Sequence, residues 1–100
     1  MELSVKDRIV LSGIIPTTGD LLTLQVARRA IDVVAFSAEE RKLFELRTED
    51  GSFKWNQETD RGVDVDLEEA AIELIRTELK GMSESRTLTI DMLSLCERLL

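Results

Sequence analysis

Apolar residues recur at helical spacing along most of this chain and alternate with polar ones over one central stretch. Ser4 followed by Asp7 fits a capping box, and it predicts a helix over residues 5–15 with Val5, Ile9, Val10, Leu11, Ile14 and Ile15 as its apolar face. Pro16 ends that helix, and Pro-Thr-Thr-Gly reads as a turn. Asp20-Leu21-Leu22 is too short to classify and fits a short strand. Thr23 is the expected cap of a second helix over 24–35, where Leu24, Ala27, Ile31 and Val34 recur and Val26, Ala30 and Val33 widen the face. Ser37 with Glu40 is a second capping box, opening a short third helix.

The period then changes from helical to two. Phe44, Leu46 and Thr48 alternate with Glu45 and Arg47, Glu49-Asp50-Gly51-Ser52 is a turn signal, and Phe53 and Trp55 flank Lys54. This predicts a β-hairpin. Residues 56–62 read as a loop, and Val63, Val65 and Leu67 fit a third short strand. Asp66 with Glu69 competes for those residues as a capping box. The helix it would open, over 67–80, has Leu67, Ala70, Ala71, Leu74, Ile75, Leu79 and Met82 as one apolar stripe and Gly81 as its expected stop. Thr89 is the expected cap of a last helix through Leu100, whose apolar set is Ile90, Met92, Leu93, Leu95, Cys96, Leu99 and Leu100. The expected fold is therefore a single α+β domain over 1–100, mainly helical, with a small antiparallel hairpin or sheet. The order of its first half is winged-helix-like, an analogy that does not establish function.

Five stretches carry a resemblance: LSVKDRIVLSGIIP, LTLQVARR, FSAEE, KWN and LTIDMLSLCERLL. Together they resemble a group of small proteins from tailed phages and prophages. The resemblance implies a phage-type origin and a host-cytoplasm setting. It carries over no activity and no site residues.

Composition narrows the chemistry. The chain has no histidine and no tyrosine, one cysteine, and thirteen basic against twenty acidic residues, a net charge of −7. Acid–base catalysis and Zn, Cu or haem ligation draw mainly on His and Cys clusters. No enzymatic role, cofactor or metal is expected. Cys96 has no activating neighbour and reads as a small buried residue. The cluster Asp60, Asp64, Asp66, Glu68 and Glu69 lacks the glycine of a calcium-binding loop, and reads as a solvated helix start. The lone cysteine and the absence of a leader-like or membrane-length apolar run point to a cytoplasmic protein.

Acidity also disfavours nucleic acid and anionic membranes as partners. In a winged helix the third helix and the wing approach DNA, and here they carry Glu39, Glu40, Glu49 and Asp50. The function expected is a non-enzymatic adaptor or inhibitor working through protein contact. Leu93, Leu95, Leu99 and Leu100 are the candidates for self-association, as a homodimer, or for a partner surface. The four acids are candidates to hold a basic partner. The alternative is a small dimeric winged-helix regulator placing Arg28, Arg29, Arg41, Lys42 and Lys54 on DNA. Phe53 and Trp55 are read as anchoring the hairpin on the core, with an aromatic binding platform as the other reading.

Overall fold

The first three helices each start at a local side-chain acceptor. The computed structural model describes residues 1–100. Helix α1 (Val5–Ile14) opens on the Ser4–Asp7 capping box, with both reciprocal bonds made. Pro16 removes a backbone donor and forces Ile15 out of the helical region, so α1 stops there. Helix α2 (Leu21–Val34) is capped by Asp20, whose carboxylate accepts from the Thr23 amide at 2.8 Å. Thr23 is therefore inside the first turn, and the strand considered for 20–22 is helix instead. An ionised acceptor at a helix start gains from the helix dipole as well as the hydrogen bond. The earlier start leaves Leu21 and Leu22 in solvent.

Helix α3 (Ala38–Leu43) opens on the Ser37–Glu40 box. The hairpin pairs β1 (Arg47–Glu49) with β2 (Ser52–Lys54), joined by Asp50 and Gly51 at φ 50° and 76°. Two central residues at positive φ make the mirror-image turn whose twist suits a hairpin. The third strand is shorter than expected. Val63–Asp64 pairs antiparallel with Glu2–Leu3, and not with the hairpin. No strand separates α1 from α2, so the winged-helix order is followed only in its helices and hairpin.

Helix α4 (Glu69–Glu84) starts without a side-chain cap, so the Asp66–Glu69 box does not form. It also runs through Gly81 and stops at Arg86, which sits at φ 59° while Thr87 N–H bonds back to Met82 O at 2.8 Å. The last segment begins as a single tight turn, Ile90–Met92, and continues as α5 (Leu93–Leu99). The architecture is α+β, with α1, α2 and α4 packed on one another and α5 closing the end of α4.

One continuous cluster forms the core, drawing Leu11 and Ile14 from α1, Val26, Ala27, Ala30 and Val34 from α2, and Ala71, Ile75 and Leu79 from α4. Leu95 and Leu99 belong to it, at 0% and 9% exposure. Both, expected as surface residues for self-association or a partner, are core residues. Leu93 and Leu100 remain half-exposed. At roughly 1.5–3 kcal/mol for each large apolar side chain fully buried, Leu95 and Leu99 hold α5 down.

Candidate protein-contact groove

The best-built polar feature of the molecule starts from one misfit residue. Val5, Arg8, Leu11 and Ile14 are the buried positions of α1, so a cation stands in an apolar stripe. A buried cation is costly unless paired and hydrogen-bonded. Arg8, 3% exposed, meets both conditions. Its Nε donates to Val34 O at 3.0 Å and one terminal nitrogen donates to Ala35 O at 2.6 Å. The two terminal nitrogens also reach Glu40, at 2.5 and 3.0 Å. The guanidinium lies 4.1 Å from the Phe36 ring centre, a cation–π distance. Arg8 thus satisfies the last carbonyls of α2 and clamps the first turn of α3.

Glu40 serves both Arg8 and its own helix cap, since its carboxylate also accepts from Ser37 N–H at 3.0 Å. The Arg8 hydrogen bonds, with the Ser37 amide adding, hold its pKa down at about 2. Phe36 then packs edge-on against buried Phe44, with ring centres 6.4 Å apart.

This clamp forms the floor of a groove between the helices and the hairpin. Ile9 and Ser12 of α1, Ile31 of α2, Phe36, and Leu46 and Phe53 of the hairpin line it. Arg41 of α3 stands among them. The groove encloses about 200 Å³. Sites for drug-sized ligands are commonly roughly 300–1,000 Å³, whereas a cavity of roughly 150 Å³ takes a benzene-sized group. It therefore suits one apolar side chain of a partner. Phe53 is 52% exposed at its mouth. Arg28 (one turn before Ile31), Arg41 and Lys54 (beside Phe53) take part in no ion pair.

A second apolar surface lies on the terminal segment. Ile90, Leu93 and Leu100 are 86%, 50% and 51% exposed, and exposed Glu97 falls between the last two. Their spacing puts Leu93, Glu97 and Leu100 on one side of α5, opposite Leu95 and Leu99.

The remaining expected residues are dispersed. Glu39 is exposed, Glu40 is engaged with Arg8, Glu49 pairs with Arg47 at 2.8 Å and Asp50 makes the hairpin turn. Arg29 pairs with Glu68 at 2.8 Å. Trp55 and Phe53 part company. Trp55 is half-buried and donates from Nε1 to Asp60, whose other oxygen accepts from Val5 N–H, while Phe53 faces solvent. Asp60 is thus a brace between hairpin and α1, and no three acids or thiols gather in a metal-binding arrangement. Arg8 was legible only as a break in the Val5–Leu11–Ile14 spacing.

Comparison with protein-family models, curated proteins and solved structures returns no significant match.

Proposed function

We propose that this chain is a non-enzymatic protein-contact domain, an adaptor or inhibitor of the phage type its sequence resembles, acting in the cytoplasm without a cofactor. The observation that carries this reading is the groove. Its floor is fixed by a fully hydrogen-bonded Arg8–Glu40 clamp, yet Phe53 stands half in solvent at its mouth and Arg41 in its wall lacks an ion pair. Elsewhere the chain satisfies itself, with no buried side-chain polar atom lacking a partner. Exposed aromatics in rigid surroundings are the usual anchors of protein interfaces. No helix is long and apolar enough to cross a membrane.

The test is a tagged capture from nuclease-treated bacterial lysate with the native chain and Phe53→Glu side by side. The expected result is a stoichiometric protein retained by the native chain and lost by the variant. Identical captures would contradict the reading. Glu39, Glu49 and Asp50 are tested in the same format by neutralisation, which weakens capture if acidity recruits a basic partner.

The unpaired Arg28, Arg41, Lys42 and Lys54 favour duplex DNA as a second reading. It predicts binding at low salt that falls steeply as salt rises. Glu39 and Glu40 in the first turn of α3 oppose it.

A further inference from the structure

We infer that the occupant of the groove is the exposed stripe Ile90, Leu93, Glu97 and Leu100 of a second copy of this chain; the inference rests on the protein-contact reading. Two features of the molecule are complementary in chemistry. The groove offers an apolar slot for a single side chain, with Arg41 in its wall and Arg28 and Lys54 on the elements beside it, none of them ion-paired. The stripe offers exposed Leu93 and Leu100 with an unpaired carboxylate, Glu97, between them.

The charge is divided the same way along the chain. Residues 21–55 carry six basic and six acidic side chains, whereas residues 56–100 carry five basic and eleven acidic. The net-acidic 56–100 segment of one copy therefore meets an electrically balanced region of another, which holds the unpaired Arg41 in the groove wall. The net charge of −7 opposes association at long range. At physiological ionic strength that repulsion is screened beyond about 8 Å, and the close Arg41–Glu97 approach is not.

Groove and stripe both border α1, and they are different surfaces. Ile9 and Ser12 reach the groove, while Lys6 pairs with Asp91 at 3.0 Å and Asp7 with Arg98 at 3.3 Å on the terminal segment. Two copies exchanging stripes reciprocally close into an isologous pair, whereas one-way contacts are heterologous and propagate head to tail.

This makes a complementation test decisive. Leu93→Glu spoils the stripe and leaves the groove; Phe53→Glu spoils the groove and leaves the stripe. Both positions are about half-exposed, and a thermal melt of each variant is the control that it folds. Light scattering after gel filtration should give a mass above 11.3 kDa for the native chain as concentration rises to about 1 mM, the weak end of association. Each variant alone should return to monomer mass, and their equimolar mixture should form a pair through the one intact contact. A second check reverses charge: Arg41→Glu and Glu97→Arg each weaken the native association, and together restore it. A monomeric native chain, or a mixture that fails to associate, overturns the inference. Native capture of another protein in the lysate, lost in Phe53→Glu, would still stand in either case, so the two readings fail separately.

Discussion

Arg8 shows how much one side chain decides. It joins α1 to the end of α2 and the start of α3 through four hydrogen bonds, all inside the protein. Replacing it with Ala strands Glu40 beside two unpaired carbonyls, and should cost about 2–4 kcal/mol in a chemical denaturation at neutral pH. Glu40 makes this contribution pH-dependent. Its pKa is lowered from 4.5 to about 2 in the folded chain, so its stabilisation is complete above the unfolded value and is lost as pH falls through the folded one. With allowance for its partial exposure, the contribution is on the order of 2 kcal/mol. The stability gap between native chain and Glu40→Gln should therefore be full at neutral pH and close between about pH 4.5 and 2; a gap constant across that range contradicts the assignment. The Ser37–Glu40 box was visible in the sequence because capping is local. The Arg8 partnership was not, because its carbonyl acceptors lie 26 and 27 residues away.

At the scale of elements, existence was legible and ends were not. All five helices and the hairpin follow from periodicity and turn chemistry. Their ends were settled by competing acceptors and by neighbours. Gly81 reads as a stop, yet Ile75, Leu79 and half-buried Met82 share a face that packing rewards beyond it. A Cβ at Gly81 meets nothing within 4 Å, and its φ is not positive. Gly81→Ala should therefore stabilise the chain by about 0.5–1 kcal/mol, read as a raised denaturation midpoint. The true stop, Arg86, holds a left-handed conformation that suits glycine. Arg86→Gly should add a similar amount, about 0.5–1 kcal/mol. A fall in midpoint for either variant would refute this account of the helix end. The Glu2–Leu3 strand is not legible in the sequence because two residues display no period.

For the whole molecule, the apolar residues at the chain end had two destinations that pattern alone did not separate. The terminal stripe is wide because it serves both faces of α5: Leu95 and Leu99 complete the core, and Leu93 and Leu100 stay outside. Which face is which depends on where α4 lies, a contact made across the fold through Leu79 and the Arg76–Leu99 hydrogen bond. The groove was less legible still, since α1, α2, α3 and the hairpin each supply only part of it. Phe53→Glu and Leu93→Glu, being surface changes, should alter stability by no more than about 0.5 kcal/mol while abolishing contact. The most direct measurement is a nitrogen-15 amide spectrum of the native chain recorded across a dilution series. The account predicts concentration-dependent shifts gathered at Ile31, Arg41, Leu46 and Phe53 and at Ile90, Leu93, Glu97 and Leu100. Unchanged shifts throughout, or changes confined to the exposed Leu21–Leu22 corner, would contradict it.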